Sequence, residues 1–421
     1  MKSLLAVSRR SMLVAAAGIL LGAASFSTNA QLAEPTTELS APKWVATWSA
    51  PPMPSGSAFG ASRSFDNQTV RQIMHISAGG TRVRVKLSNE YGVGSLIVGS
   101  ANVALQATGS SILPASNRSL TFRGSQSVVI PEGATVFSDP VNLNVPSNAN
   151  VTISIYVPQN TGLATYHENA NQTAYISAPG DFSDATDFPA DDTAISSYWV
   201  TYIDVLPIKK TPALVIIGDS ISEGATTTLD ANRRVNNVLS RWFNPPFGAP
   251  RMAVLNQGIG CGRLLFDFCG PKGLSRFDGN VLNATGVNQV LIELGYVDII
   301  FPTAAGIPEQ LVSTEQIIDG LRQLIRRARM RGLRVYGATA QPNGSTTFPN
   351  VYTPENEAKR QALNRWIRTT REYDGVADYD LALRDPSNPV QLLPAYDSGD
   401  GIHPNDAGHE AMARSIVLSL R

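Results

Sequence analysis

At Pro212 the residue pattern of the chain changes character, and that change constrains the fold more than any other feature of the sequence. Between Trp44 and about Leu206, apolar residues come in short β-rich runs, such as 69–76, 82–87, 127–130 and 150–157. In Arg82-Val83-Arg84-Val85-Lys86-Leu87 polar and apolar residues alternate with period two, as a half-buried strand requires. Turn signals such as Ala78-Gly79-Gly80 and Pro131-Glu132-Gly133 separate the runs. This half reads as an all-β sandwich of jelly-roll type, over residues 43–206. After Pro212 compact apolar runs alternate with helical stretches. Strands are expected at 213–217, 252–255, 287–294, 333–339 and 376–379, and helices at 235–242, 316–331, 355–373 and 406–420. Such alternation predicts an α/β domain over 211–421, with a parallel sheet covered by helices on both faces.

The N-terminus stands apart from both halves. Ser8-Arg9-Arg10-Ser11-Met12-Leu13 sets paired arginines ahead of an apolar stretch, and small residues follow as far as Thr28-Asn29-Ala30. Residues 1–30 therefore read as a Tat-like signal peptide cleaved before Gln31, with 31–42 a flexible lead-in and the mature protein periplasmic or secreted. The apolar stretch is short for a bilayer, so no stable membrane anchor is expected after cleavage. Lys+Arg and Asp+Glu are both 34, and removing Lys2, Arg9 and Arg10 takes the net charge to about −3. No basic excess points to nucleic acid. The two cysteines, Cys261 and Cys269, lie in one loop-like segment and allow either a small disulfide or two free thiols. No His, Asp or Glu cluster accompanies them at metal-ligand spacing, so no metal is expected there, and no organic cofactor is expected for the chain.

Chemistry concentrates in two places. In Val215-Ile216-Ile217-Gly218-Asp219-Ser220 a buried strand ends in Gly-Asp-Ser and must turn toward a helix, which puts a serine hydroxyl in the crevice where such sheets bind ligands. A helix-capping serine would look the same. The second place is Ser398-Gly399-Asp400-Gly401-Ile402-His403-Pro404. A serine needs a base to become a nucleophile, and imidazole is the usual one. Of the four histidines, His75 and His167 lie in the β-rich half, and His409 falls inside the closing helix as a surface or packing residue. His403 is the economical base, with Asp400 three residues earlier able to bond and orient its ring.

Gly218-Asp219-Ser220 and Asp400-Gly401-Ile402-His403 resemble the first and last blocks of the SGNH/GDSL hydrolases. Asn256-Gln257-Gly258-Ile259-Gly260 resembles the second block, and Leu294-Gly295-Tyr296-Val297-Asp298 occupies the place of the third. The β-rich half, through Trp44-Val45-Ala46-Thr47-Trp48, Thr69-Val70-Arg71-Gln72 and Leu87-Ser88-Asn89, resembles the sandwich that precedes this domain in secreted bacterial members. The resemblance implies a flavodoxin-like three-layer αβα domain and a serine esterase with Ser220, His403 and Asp400 as its triad. It also implies an oxyanion hole from the backbone N–H groups of Ser220 and Cys261. Two departures are visible: the family's oxyanion asparagine is replaced by Val297, and its usual glycine by Cys261. The substrate classes implied are short acyl or carbohydrate acetyl esters, small or polymeric. The alternatives are a lipase or lysophospholipase whose acyl groove is lined by residues 299–305, and a degenerate glycan-binding relative. Oligomeric state is not encoded in any motif.

Overall fold

The alternation at residues 82–87 becomes the strand Gly80–Ser88, with Val83, Val85 and Leu87 fully buried and Arg82, Arg84 and Lys86 partly exposed. The computed structural model describes residues 43–56, 62–245 and 248–420, which form one compact unit. The leader at 1–30 and the lead-in at 31–42 lie outside the described residues.

Two antiparallel sheets build the β-rich half. One runs Val45–Ser49, Val200–Val205, Gly80–Ser88, Val141–Val145, with Thr135–Phe137 also beside Gly80–Ser88. The other runs Ala190–Ala194, Ala174–Ser177, Gln68–His75, Asn150–Val157, Ser100–Thr108 and Ser111–Ile112. Val83, Val85 and Ile203 of the first share a core with Val70, Val103 and Ile153 of the second, which makes the pair a sandwich. Gln68–His75 departs from simple alternation because Arg71 and Gln72 are also buried. Arg71 is tolerated there because its guanidinium donates to Ser154 Oγ and to the carbonyls of Ser110 and Ala185, at 2.7–2.9 Å.

The second half alternates strand and helix. Its elements, numbered from here on, are β1 (Ala213–Gly218), α1 (Ser220–Glu223), α2 (Val235–Phe243), β2 (Ala253–Gly258), α3 (Gly273–Phe277), β3 (Val287–Glu293), α4 (Tyr296–Ala305), α5 (Thr314–Met330), β4 (Arg334–Ala338), α6 (Pro354–Thr369), β5 (Gly375–Ala377), α7 (Tyr379–Leu383) and α8 (Asp406–Ser419). All five strands are parallel in the order β2-β1-β3-β4-β5, which is the flavodoxin-like order with its reversal beside β1. Helices α2, α7 and α8 pack together, as do α3, α5 and α6, and the sheet lies between the layers. Ser313 closes a capping box on α5 with Gln316, and Thr353 caps α6 through Asn356 N–H. The helix expected at 355–373 stops at Thr369. The chain then doubles back, so that Tyr373 packs edge-on against Trp366, 5.7 Å between ring centres.

The halves are joined by buried polar contacts as well as by packing. Ala46 N–H donates to Thr285 O at 2.9 Å, and Ser49 Oγ to Asn256 O at 2.9 Å. The Ser77 carbonyl accepts from Ser240 Oγ and Asn244 Nδ2, and Ser77 Oγ accepts from Val254 N–H, each at 3.0 Å. Tyr202 OH donates to Asn280 O at 2.8 Å. These bonds set the sandwich along β2, the edge strand of the parallel sheet.

Candidate active site

β1 is buried along its whole length, so its apolar run is a core strand and its end is held rigidly. Gly218 closes it because there is no space for a side chain: a Cβ would run into Ser222 Oγ and Glu293 Oε2. Asp219 follows and caps α1, its carboxylate accepting Ile221 N–H at 2.9 Å. Ser220 is therefore the first helical residue, with its hydroxyl turned out of the sheet. Among the described residues no protein acceptor takes the N–H of Ser220.

His403 arrives from the opposite end of the half. Its segment is tied by Asp397, which accepts Gly399 and Gly401 N–H at 2.9 and 3.0 Å, and by Ser398 N–H donating to His403 O at 3.0 Å. Gly401 sits at φ 74°, and a Cβ on it would meet the backbone of Ser345 and Thr346, so that position needs glycine. Asp400 accepts from Ile402 N–H and His403 N–H, both at 2.8 Å, and from His403 Nδ1 at 2.6 Å. Burial alone would raise the Asp400 carboxyl, but the hydrogen bonds from His403 override it and hold the group well below the usual carboxylate range. With Nδ1–H committed to Asp400, Nε2 is left as an acceptor. It lies 2.9 Å from Ser220 Oγ. The three side chains expected from the sequence thus converge across 183 positions of chain.

Cys261 and Cys269 form a disulfide, with Cα atoms 5.9 Å apart. Cys261 has φ 45°, a left-handed conformation unusual for a side-chain-bearing residue, and its N–H has no protein acceptor among the described residues. Gly262 N–H bonds back to Ile259 O at 2.8 Å, closing the turn that exposes it. Cys261 and Ser220 both line a cavity of about 460 Å³. Val297 lines the same cavity and contributes only a branched hydrocarbon there.

The cavity wall is largely apolar. Ile300, Phe301 and Ala304 project from α4, and Phe348, Val351 and Ile402 complete that side. Five further lining residues had no signal assigned in the sequence: Glu168, Asn169 and Ile195 of the β-rich half, Glu223 of α1, and Ala225 just after it. Only Glu223 was findable, because its i, i+3 spacing from Ser220 puts both on one face of α1. The other histidines are packing residues here. His409 is buried and its Nδ1 accepts Val235 N–H at 3.2 Å; His75 bonds Asn150 Oδ1 at 2.7 Å; His167 sits 3.5 Å from Glu223 Oε1. Beneath Ser220, Ser222 Oγ donates to Glu293 Oε2 at 2.5 Å. Burial pushes the Asp219 carboxyl up to about 6 and Glu293 well above its usual range. Among the described residues no group of three or more His, Cys, Asp or Glu side chains is placed to hold a metal, and no helix is long and apolar enough to cross a membrane.

With this geometry in place, residues 216–411 match the model of the GDSL-like lipase/acylhydrolase family. Residues 216–411 are a GDSL-like lipase/acylhydrolase domain. Among solved structures, a GDSL-like lipase from Bacteroides thetaiotaomicron VPI-5482 is 17% identical over 49% of this chain and 86% of its own, with a TM-score of 0.37. An alpha/beta hydrolase enzyme from the metagenome of Lake Arreo, Spain, is 19% identical over 49% of this chain and 94% of its own, with a TM-score of 0.39. No curated protein matches the chain. The match covers less than half of the chain and supports hydrolysis of ester bonds for that domain, with the antiparallel β-rich region ahead of it.

Proposed function

We propose that the protein is an exported serine esterase that cleaves carboxylic esters through an acyl-enzyme, with Ser220 as nucleophile, His403 as general base and acid, and Asp400 as its orienting partner. The observation that carries this reading is the unbroken relay Ser220 Oγ to His403 Nε2 at 2.9 Å and His403 Nδ1 to Asp400 Oδ2 at 2.6 Å. His403 takes the Ser220 proton as Oγ bonds to the acyl carbon, and then gives that proton to the departing alcohol. A water attacks the acyl-serine next, with His403 as its base, and releases the acid. The unengaged N–H groups of Ser220 and Cys261 receive the oxyanion. Export through the Tat route follows from the arginine pair and apolar stretch of the leader.

For substrate, short acyl esters and acetylated carbohydrates are the first reading. A second is favoured by a specific observation: Ile300, Phe301 and Ala304 line the cavity, which at about 460 Å³ is far larger than an acetyl group needs. That wall suits an acyl chain of several carbons. The decayed, glycan-binding alternative is disfavoured because all three relay members are present and in register.

The test is a series of p-nitrophenyl esters of increasing chain length. Turnover is expected, with kcat falling to the uncatalysed background or within about 10³-fold of it in Ser220→Ala and with the thermal midpoint little changed. Full activity in that variant would end the esterase reading. A rate maximum at butyrate to octanoate supports the apolar-wall reading, and a maximum at acetate the first one.

A further inference from the structure

Glu223 is one turn beyond Ser220, buried, and has no part in the relay. One side of its carboxyl faces the turn that carries Cys261: a Cβ placed on Gly260 would lie 3.2 Å from Glu223 Oε2, and the Gly260 N–H is directed at the carboxyl. The other side faces the β-rich half, where His167 Nε2 lies 3.5 Å from Oε1 and the Asn169 side chain bonds the carboxyl. The backbone of Glu223 is clamped as well, since Asn256 Nδ2 donates to Ser222 O at 2.7 Å and reaches Glu223 O at 3.5 Å. One carboxyl therefore spans the nucleophile helix, the oxyanion turn and the sandwich, at the edge of the cavity itself.

We infer that Glu223 is a positioning residue for the oxyanion hole: bonded by Asn169 and packed beside His167, its carboxyl fixes the Gly260–Cys261 turn so that the Cys261 N–H points at the reacting carbonyl. This rests on the acyl-transfer reading above. Removing a carboxyl that holds a donor in place misaims the donor, and a misplacement of about 1 Å in such a site costs on the order of 10²-fold. Charge matters too. The groups facing the carboxyl are His167 and Glu168 from the sandwich, Arg234 ahead of α2, and Arg276 of α3. Burial depresses His167 to about 3, so it is neutral and supplies no counter-charge at working pH. Burial, with repulsion from Glu168, pushes the Glu223 carboxyl up to about 8. Below that pH a neutral acid backs the oxyanion turn; above it an anion appears there and opposes the developing oxyanion.

Turnover of p-nitrophenyl acetate by the mature protein is followed from pH 6 to 10 in wild type, Glu223→Gln and Glu223→Ala, after subtracting spontaneous hydrolysis. Wild-type kcat is expected to fall on the alkaline side with a midpoint near 8. Glu223→Gln, which keeps an acceptor for Gly260 N–H and cannot ionise, should lose that fall while its kcat at pH 6.5 drops less than that of Glu223→Ala. Glu223→Ala should lose about 10-fold or more in kcat with KM changed by less than about threefold, the signature of a transition-state donor. A Glu223→Gln enzyme that keeps the wild-type alkaline fall, or a Glu223→Ala enzyme with wild-type kcat, overturns the inference. If Glu223→Ala does not fold, the Glu223→Gln profile decides alone. Ser220→Ala run alongside keeps the two ideas apart: activity without Ser220 breaks the esterase reading whatever Glu223 does.

Discussion

Asp400 receives three hydrogens, two from backbone amides and one from His403, and the backbone pair leaves its second oxygen no choice but the ring. Replacing it with Asn puts an amide NH₂ where an acceptor is required, or turns the ring to the wrong tautomer. Asp400→Asn is expected to lower kcat about 10³- to 10⁴-fold with KM little changed, measured on a short p-nitrophenyl ester. Glu223 carries a second, thermodynamic expectation. Its folded carboxyl titrates near 8 against an ordinary 4.5, so the folded chain binds a proton that the unfolded chain has released. The stability linked to that proton is complete below the lower value and is lost as pH rises through the higher one. Thermal midpoints should therefore decline between about pH 5 and 8, and Glu223→Gln should lessen the decline. Equal slopes in the two proteins would refute the assignment. At this scale Ser220, Asp400 and His403 were readable because each sits in a short motif whose chemistry is local. Glu168, Asn169 and Ile195 were not, since nothing in their own neighbourhood of sequence distinguishes a cavity wall from ordinary surface.

Strands were legible where one face is apolar, and less so where burial is polar. β2 runs to Gly258 although its apolar residues end at Leu255, because Asn256 is satisfied inside by Ser222 O at 2.7 Å and Asn236 Oδ1 at 3.1 Å. Ala190–Ala194, an edge strand of mostly exposed Ala, Asp and Thr, gave no pattern at all. α4 shows a different ambiguity, since an apolar run at 299–305 fits either core or groove. Its Ile299 is core and its Ile300, Phe301 and Ala304 face the cavity, so both descriptions hold on different sides of one helix. Phe301 also stacks on Phe268, 4.2 Å between centres, next to the disulfide. Phe301→Ala should lower kcat/KM for hexanoate about 10-fold while leaving acetate within about threefold, because only the longer chain buries area there. Val297→Asn, at the start of α4, should raise kcat on acetate by supplying a donor; an unchanged rate would show that backbone N–H groups already suffice. Opening the nine-residue disulfide loop with Cys261→Ser and Cys269→Ser together is expected to cost about 2–3 kcal/mol of stability by denaturant titration.

The described residues form one compact unit, and buried hydrogen bonds at Ser77, Tyr202, Asn244 and Thr285 cross between its halves. Cutting there would leave Asn244 and Asp204 without partners they meet only across the boundary. A chain starting at residue 211 is expected to lose solubility and esterase activity, and the mature protein to melt in a single transition by calorimetry. The halves themselves were visible from the switch of pattern at Pro212. Their mutual docking was not, because it depends on scattered Ser, Asn and Thr residues that look like any loop polar group until both surfaces are assembled.

One wall of the cleft belongs to the loops around 168 and 195, far in sequence from every reacting atom. Substitutions there can reshape what enters without touching the machinery that cuts, so new diets should arise in this lineage by redrafting the sandwich loops while the parallel sheet stays as it is.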